Sequence, residues 1–385
     1  MAVLALAACT GTSPQDRPVA RIGVIVPLEA GLVEFGRGIR NSVQLAVDEA
    51  NRANTVPGWR LEVVAVDDSS DPGVGETAAH RLAADRSLVG VVGTYNSGVA
   101  ARVAPVLDEA GVVMVSPANT DPALTLGADP GRPVRPHANY FRMVTADNVQ
   151  APFLAQAAFD DLGARRVAVL SETKPVSKGL ADGFRAAFAA LGGTVVVDLT
   201  VPDGTTNFGG PLTQVVPLRP DLVFFGGEYN VAARLSAQAT EAGLAVPVMG
   251  GDGMKDDAYI ANAGPASDGD LASSVGAPLA SLAAAREYVA AYQAAGFAEP
   301  PSDYGVYAYD ATRVIIAAAA RALDGRTTVN AGARASVIAA VARTDLAGAS
   351  GQVSFDAFGD TRAKVLTFYR VSSGAWSPVK TQSVS

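Results

Sequence analysis

Residues that commonly build metal sites and covalent cross-links are scarce in this chain of 385 residues. It contains one cysteine, Cys9, and two histidines, His80 and His137. One thiol cannot close an internal disulfide, and three such side chains cannot form a His- or Cys-based metal cage. We therefore expect neither a disulfide framework nor a metal site.

Basic residues, aromatic residues and long apolar runs are also limited. Lys and Arg number 30 against 38 Asp and Glu, which gives a formal charge of -8. Such a chain offers no counter-charge to a polyanion, so we expect no nucleic-acid partner. Aromatic residues make up 6% of the chain, which weakly disfavours a sugar site built from stacked rings. Beyond the first nine residues, no apolar run reaches the ~18 residues of a transmembrane helix.

The chain is long and apolar enough for two buried cores, since 49% of its residues are hydrophobic and domains commonly hold ~100 to 200 residues. Short Val- and Ile-rich runs alternate with Ala-rich stretches of helical period. Continuous apolar runs of this kind are typical of parallel strands buried on both faces. Because the alternation runs to residue 116 and begins again at residue 167, we predict an α/β fold with two doubly wound parallel-sheet lobes.

The predicted elements follow this alternation. In the first half they are strands at 21–28, 60–67, 88–93 and 112–116, with helices near 35–53, 74–86 and 97–110. In the second half they are strands at 167–171, 194–201, 221–226 and 246–250, with helices near 177–191 and 230–242. A third region is predicted to contain helices near 279–296, 304–323 and 333–343, followed by two strands between 352 and 371.

A short internal repeat links the two halves. Residues 93–102 read GTYNSGVAAR, and residues 226–234 read GGEYNVAAR. Each segment follows a predicted strand and opens a predicted helix. Ligands of open α/β sheets bind beyond the carboxyl ends of the strands, so both segments are expected to face one cleft. Chance similarity in an Ala-rich chain is the alternative interpretation.

Motifs for nucleotide binding and catalysis are incomplete. Residues 73–78 fit G-x-G-x-x-A, but the carboxylates of Asp67, Asp68 and Asp71 precede them and would repel a pyrophosphate. Residues 171–174 fit S-x-x-K, the first motif of penicillin-recognising enzymes, whereas the partner motifs are imperfect. We therefore predict that the protein is not an enzyme and needs no cofactor.

Polar residues at predicted strand ends are better candidates for a binding site. Ser97 opens a predicted helix, where its hydroxyl and the free N–H groups of the first turn can hold a carboxylate. The loop around Ala118 and Thr120 offers main-chain groups and a hydroxyl to both ends of an amino acid. Asp252 lies among glycines, where a carboxylate can meet a buried ammonium. Ser97 and Asp252 are alternatively simple helix caps.

Seven short motifs are spread along almost the whole chain. They are IGVIVPL at 22–28 with Phe35-Gly36, VVGTYNS at 91–97, VSPANT at 115–120, FRMVT at 141–145, FGGEY at 225–229, MGGDG at 249–253 and YAYDA at 307–311. Together they resemble the substrate-binding proteins of branched-chain amino-acid ABC transporters, the leucine/isoleucine/valine-binding group of the type I periplasmic-binding fold.

The resemblance implies a bacterial extracytoplasmic receptor, a monomer, that closes two lobes around an amino acid and delivers it to the membrane subunits of an ABC permease. It implies three hinge crossings between the lobes, near 142–146, 268–271 and 350–354. The implied lobes are 20–142 with 271–350 for lobe 1, and 143–270 with 351–385 for lobe 2. A ligand-sensing receptor domain of the same fold is the alternative function.

The resemblance also implies roles for individual residues. Ser97, the backbone of Ala118, and the amide and hydroxyl of Thr120 would hold the ligand's α-carboxylate and part of its ammonium. Asp252 would be the counter-ion of the ammonium. The residues expected to wall the side-chain pocket are Phe35 and Tyr304.

Three departures from the family pattern bear on the ligand. Glu228 stands where an aromatic residue is common, Asp252 replaces a longer Glu, and Val176 replaces a frequent tyrosine. Two acids in one cleft favour a more cationic or polar ligand, unless Glu228 turns toward an arginine or solvent. Amides and ureas are therefore alternative ligands.

The N-terminal apolar run ends in Leu6-Ala-Ala-Cys9, which resembles a bacterial lipobox. In that motif a signal peptidase cuts before the cysteine, and the thiol then carries a diacylglycerol. We therefore expect residues 1–9 to be the remnant of a lipoprotein signal peptide and residues 10–19 to be a tether to the cell membrane. A frayed N-terminus with a buried Cys9 is the alternative.

Overall fold

The computed structural model describes residues 17–129 and 131–384, so Cys9 and most of the expected tether lie outside the described residues. The first half of the chain alternates strands and helices as the sequence predicts. Its elements are β1 (Val19–Val26), α1 (Val33–Arg52), β2 (Arg60–Asp67), α2 (Pro72–Ala83), β3 (Leu88–Gly93), α3 (Ser97–Glu109), β4 (Val113–Ser116), α4 (Ala123–Leu126) and β5 (Tyr140–Arg142).

The alternation continues through the second half. Its elements are α5 (Asp147–Gln156), β6 (Arg166–Glu172), α6 (Pro175–Ala190), β7 (Thr194–Val201), α7 (Gly209–Val215), β8 (Leu222–Gly226), α8 (Tyr229–Glu241), β9 (Val248–Gly250), α9 (Asp257–Ala263) and β10 (Leu271–Ser274). The last third contains α10 (Arg286–Ala295), α11 (Asp303–Ala322), α12 (Ala331–Val341), β11 (Asp345–Gly348), β12 (Gly351–Ser354), β13 (Val365–Ser372) and β14 (Ala375–Ser383).

Two sheets define the two lobes. Lobe 1 has a five-stranded parallel sheet in the order β2-β1-β3-β4-β5, with α2 and α3 packed on one face and α1 and α11 on the other. Lobe 2 has a seven-stranded sheet in the order β14-β13-β10-β9-β8-β6-β7. The α/β prediction with two doubly wound lobes is confirmed, except that the terminal pair β13 and β14 is antiparallel.

Strand β14 was not predicted, because most of its residues are exposed and Pro378 interrupts its pattern. Proline cannot donate a ladder hydrogen bond, so it is tolerated mainly at the edge of a sheet, where β14 lies. Strand β11 was also missed; it pairs only with β12, in a separate two-stranded sheet.

The expected lobe boundary at residue 271 is wrong. Strand β10 pairs with β9 and β13, and it therefore belongs to the sheet of lobe 2. The chain leaves lobe 2 after Ser274, and α11 then packs against α1 of lobe 1. A four-residue strand carries too little pattern to show which of two sheets it joins.

The expected third crossing at 350–354 is also too early. The turn between β11 and β12 is held by Asp310 of α11, which accepts hydrogen bonds from the amides of Ala349 and Ser350 at 3.0 and 2.7 Å. Next along the chain, Phe355 packs against Phe141 of β5, with 5.1 Å between ring centroids. These residues therefore lie on lobe 1, and the chain joins the sheet of lobe 2 only at β13.

Two glycines let helix ends approach the strand ends closely. A Cβ on Gly36, in the first turn of α1, would lie 1.7 Å from the carbonyl oxygen of Pro27. A Cβ on Gly226, the last residue of β8, would lie 2.3 Å from the carbonyl oxygen of Ser177 in α6. A larger residue at Gly36 would push the N-terminal turn of α1 away from the cleft, and a larger residue at Gly226 would do the same to α6.

Arg142, the last residue of β5, ties two of the crossing segments together. It is fully buried, and its Nε donates to Asp360 Oδ1 at 2.5 Å. Its Nη1 donates to the carbonyl oxygens of Asn119 and Asp121 at 3.2 and 2.8 Å, and its Nη2 donates to the hydroxyl of Thr125. With this many partners the buried guanidinium has its hydrogen-bonding groups satisfied. The Asp360 carboxylate in turn depends on Arg142 as its charge partner.

Asp68, at the end of β2, is a buried carboxylate with a half-satisfied side chain. Its Oδ1 accepts from the amide of Ser70 at 2.9 Å, whereas no donor among the described residues reaches Oδ2. Burial raises the pKa of Asp68 to about 7, with the amide of Ser70 acting in the opposite direction and Asp67 and Asp71 adding to the rise.

Among residues 17–129 and 131–384, no helix has both the length and the apolar character needed to cross a bilayer.

We predict that Arg142→Met lowers the free energy of unfolding by about 3–5 kcal/mol, because it leaves the Asp360 carboxylate without its buried partner. Urea unfolding followed by circular dichroism measures the change. The matched control is Arg102→Met, which removes an exposed ion pair to Glu76 and should cost less than about 1 kcal/mol. Equal losses in the two variants would contradict the role given to Arg142.

We also predict that Asp68 makes the protein less stable as pH rises. Its pKa is near 7 in the folded state and near ~4 in the unfolded state, so the folded protein holds the proton more tightly. Stability should therefore fall by about 2 kcal/mol from pH 5.5 to pH 8 because of this residue.

Asp68→Asn should remove that part of the pH dependence, measured as urea midpoints across the same range. Asp324→Asn, an exposed acid two residues after α11, should keep the parent's slope. A parent-like slope in Asp68→Asn would show that Asp68 stays ionised.

Candidate functional site

The candidate site lies where the carboxyl ends of the two sheets meet, and the two lobes are closed over it. Asn96, immediately before α3 of lobe 1, donates from Nδ2 to Oε1 of Glu228 in lobe 2 at 2.7 Å. Tyr304 of α11 donates from its hydroxyl to Oδ2 of Asp252 at 2.6 Å. Contacts between lobes thus flank the space between them.

A cavity of about 60 Å³ lies at this junction. A single water molecule needs ~10–15 Å³, so the cavity has room for a few water molecules between the closed lobes. Its wall is formed by both lobes: Tyr95, Asn96, Ser97, Ala118, Thr120, Asp147, Val176, Ser177, Leu180, Gly227, Glu228, Asp252 and Gly253.

Three predicted residues of lobe 1 are brought together at this wall. Ser97 begins α3, and its Oγ accepts from the amide of Thr120 at 3.2 Å. Ser116 Oγ accepts from the amide of Ala118 at 3.2 Å, which fixes the loop after β4. The helix-cap interpretation of Ser97 is wrong, because the N-cap residue of α3 is Asn96. The side chain of Asn96 makes no capping hydrogen bond. The positive end of the α3 dipole therefore faces the cavity with no side-chain cap.

Two carboxylates, the buried Asp147 and the half-buried Asp252, form another part of the wall. Asp147 begins α5, and its Oδ2 accepts from the hydroxyl of Thr120 at 3.1 Å. The side-chain amide of Gln150 donates to Asp147 Oδ1 and to Asp252 Oδ1, each at 2.9 Å. With Tyr304 bound to its other oxygen, Asp252 is held by side chains outside its own turn, so the helix-cap interpretation does not apply to it either.

Burial raises the pKa of both acids. For Asp252 the rise is opposed by the hydrogen bonds from Tyr304 and Gln150. For Asp147 burial is again the largest cause, the negative charge of Asp252 adds to it, and the pKa lies well above the ordinary value. A cation placed between the two carboxylates would stabilise the ionised form of both.

Phe35 and Tyr304, expected to wall a side-chain pocket, belong to an aromatic cluster beside the cavity. Phe35 stacks on Tyr95 with 4.6 Å between centroids, and it meets Tyr304 and Tyr229 edge-on at 5.2 and 5.7 Å. Of these four rings only Tyr95 lines the 60 Å³ cavity.

Beyond the cluster lies a second cavity of about 360 Å³, and Phe35 and Tyr304 line it. Asp252 lines both cavities. Acids dominate the second cavity; its ionisable side chains are Glu34, Asp252, Lys255, Asp256, Asp257, Glu299 and Asp303.

Glu228 lines the smaller cavity, and its side chain is 14% exposed. Its Oε2 lies 2.7 Å from the Nζ of Lys174, which precedes α6 in the same lobe. The carboxylate therefore turns neither to an arginine nor to solvent, as the sequence had suggested it must, but to a lysine and to Asn96. Lys174 is also the lysine of the S-x-x-K motif, so that match is accounted for by an ion pair.

The two segments of the internal repeat meet across the cleft. Asn96 is the residue before α3, and Glu228 is the residue before α8. Their hydrogen bond joins equivalent positions of the two halves, so the expectation that both segments face one cleft is confirmed.

Several residues of the site were not singled out from the sequence: Tyr95, Asn96, Asp147, Gln150 and Lys174. Asn96 lies within the repeat, so the repeat itself was a usable signal. Asp147 and Gln150 follow the first crossing in the tract Asp147-Asn-Val-Gln150, which reads as an ordinary amphipathic helix start. Only the fold of the crossing turns this tract toward the cleft.

Known proteins resemble this chain over most of its length. The sequence profile of a family described as periplasmic binding protein matches residues 19–375. A Leu/Ile/Val-binding protein homologue of Brucella melitensis is 31% identical over 319 residues, which are 83% of each chain. The Leu/Ile/Val-binding protein BraC3 of Rhizobium johnstonii is 31% identical over 69% of this chain and 70% of its own.

Solved structures agree with these relatives. The leucine binding protein LivK of Thermotoga maritima has a TM-score of 0.82 at 26% identity, covering 94% of this chain and 98% of its own. The branched-chain amino-acid transporter substrate-binding protein LivJ of Streptococcus pneumoniae, in complex with isoleucine, has a TM-score of 0.82 at 26% identity, with 95% and 99% covered. With two lobes, three crossings and a cavity between them, this chain belongs to the periplasmic binding protein family, and its relatives include Leu/Ile/Val-binding proteins.

Proposed function

We propose that this protein captures a branched-chain or related amino acid between its lobes and delivers it to an ABC permease. The observation that carries the proposal is the pairing of an uncapped helix N-terminus with two carboxylates, the buried Asp147 and the half-buried Asp252, in one small cavity. An α-amino acid bears an anion and a cation close together, and these two surfaces complement its two charges.

The α-carboxylate would lie against α3. There it would accept hydrogen bonds from the Ser97 hydroxyl and from the backbone amides of the first turn. The loop at Ala118 and Thr120 would contact both charged groups of the amino acid. In the closed state described above, Ser97 Oγ accepts from the amide of Thr120, so ligand binding would require this pair to share its hydrogen bonds.

The α-ammonium would lie against Asp252, with Asp147 as a second carboxylate nearby. Burial disfavours the ionised forms of both acids, and the charge of an ammonium placed beside them would stabilise those forms. Phe35 and Tyr304 would contribute to the site through the aromatic cluster that bounds the cavity. Glu228 would contribute through its hydrogen bond to Asn96 of lobe 1.

Binding would be coupled to closure. Ser97 and Thr120 belong to lobe 1, whereas Asp252 belongs to lobe 2, so a ligand that contacts all three stabilises only the closed arrangement. The closed form would then be the one the permease recognises. The protein would act as a monomer and without catalysis.

The location of the protein is also a proposal. Relatives of this kind are named periplasmic binding proteins. Together with the lipobox-like sequence ending at Cys9, this supports an extracytoplasmic receptor held to the membrane of a bacterium by a lipid on that cysteine.

We predict that leucine, isoleucine or valine stabilises the protein without residues 1–9 in a thermal-shift assay. At 100 times its dissociation constant a ligand adds ~2.7 kcal/mol to the free energy of unfolding. D-leucine serves as the control, because it presents the same groups in the wrong geometry. No stabilisation by any common L-amino acid would contradict the proposed function, whereas stabilisation by amides or ureas alone would replace the ligand and keep the receptor.

We predict that Asp252→Asn weakens amino-acid binding by about 30-fold or more, because truncating one partner of a buried charge pair costs ~2–5 kcal/mol. Isothermal titration calorimetry measures the affinity, and thermal melts measure the fold. Asp257→Asn removes an exposed acid five residues away and should bind as the parent does. Unchanged affinity in Asp252→Asn would rule out its role as counter-ion.

A further inference from the structure

Three charged side chains of lobe 2 form a cluster behind the cavity wall. The ammonium of Lys174 lies 2.7 Å from Glu228 Oε2 and 3.8 Å from Glu172 Oε1. Glu172 is fully buried, Glu228 is 14% exposed and Lys174 is 34% exposed. The lysine therefore lies between two carboxylates that have little access to water.

The cluster is held in place by bonds to its surroundings. Glu172 Oε1 accepts from the amide of Gly204 at 2.9 Å, and Glu228 Oε1 accepts from Asn96 of the other lobe at 2.7 Å. The two carboxylates raise the pKa of Lys174 against the opposing effect of its burial, so the lysine stays charged at neutral pH.

The ionisable groups of the site thus fall into two sets with different charge balance. Asp147 and Asp252 have only neutral hydrogen-bond donors as partners, namely Thr120, Gln150 and Tyr304. Glu228 has a lysine. A ligand ammonium therefore meets acids without a cationic hydrogen-bond partner at the first set, and a carboxylate already paired with a lysine at Glu228.

We propose that Lys174 is a specificity-determining residue, which neutralises Glu228 and thereby excludes cationic side chains from the cavity. The inference rests on the proposed function for the position of the α-ammonium at Asp252. A second ammonium on the ligand would then approach Glu228, where Lys174 is already paired with Oε2 and repels it. Neutral side chains meet no such opposition. Because the groups are partly buried, salt screens these interactions less than it would on the surface.

The test compares norleucine with ornithine, two amino acids whose side chains have nearly the same shape and differ in charge. In Lys174→Met the carboxylate of Glu228 loses its cation, and the affinity for ornithine relative to norleucine should rise by about 10-fold or more. Calorimetry gives both dissociation constants. Lys178→Met is the matched control, since it removes an exposed positive charge one turn further along α6 and should leave the ratio unchanged.

Two further variants make the result independent of any single substitution. Glu228→Gln leaves Lys174 without that partner, so the ratio should move the other way, against ornithine. Lys174→Met combined with Glu228→Gln removes both charges and should lose the gain in ornithine affinity. A Lys174→Met ratio equal to that of the parent, or a gain that persists in the double variant, would overturn the proposal.

These outcomes are separable from failure of the proposed function. If the parent binds no neutral amino acid, the proposed function fails. The ornithine affinity of Lys174→Met against that of the parent still decides the role of Lys174, because that comparison uses one ligand and two proteins.

Discussion

The side-chain amide of Gln150 holds together two carboxylates that would otherwise repel each other. Its two N–H groups donate to Asp147 and Asp252, and its oxygen accepts from the amide of Asp252 at 2.8 Å and the hydroxyl of Ser273 at 2.6 Å. Every donor and acceptor of the group is thereby used. Because these partners lie on α5, after β9 and in β10, one amide fixes the relative positions of three elements of lobe 2.

That arrangement explains how a strongly acidic site exists within a stable lobe. Neither acid has a cationic hydrogen-bond partner among the described residues, and the cost of removing them from water is moderated by neutral donors rather than by an ion pair. Glu228 represents the other solution, a carboxylate matched to a lysine. The same cavity therefore combines two acids that attract positive charge, Asp147 and Asp252, with one that does not, Glu228. The difference depends on Lys174, which lies behind the cavity wall.

The sequence was sufficient for the fold class and for five of the thirteen residues that line the cavity. Apolar runs and helical periods locate the parallel strands, and Ser97, Ala118, Thr120, Glu228 and Asp252 all lie at strand ends that converge. The route of the chain was harder, because β10 is short and β14 is exposed, so neither carries the pattern that assigns a strand to a sheet.

Residues that act through tertiary contacts were the other limit. Asp147 and Gln150 look like the start of any surface helix, and Lys174 looks like a solvated lysine before a helix. Their importance comes from partners distant in sequence, such as Gln150 and Asp252, whose sequence separation is 102. Phe35 and Tyr304 were expected to wall a side-chain pocket; both lie in the aromatic cluster and line the second cavity beyond it.

The return of the chain to lobe 1 also has a consequence for biosynthesis. Helix α11 covers β3 and β4 and packs along α1, yet it follows the whole βα series of lobe 2 in the sequence. A nascent chain that has reached β10 therefore contains all five strands of the first sheet, but the part of one apolar face that α11 covers is still exposed. Domains usually fold from the N-terminus as they are made. Here the earlier lobe must wait for the last third of the chain, so the two lobes reach their native states nearly together.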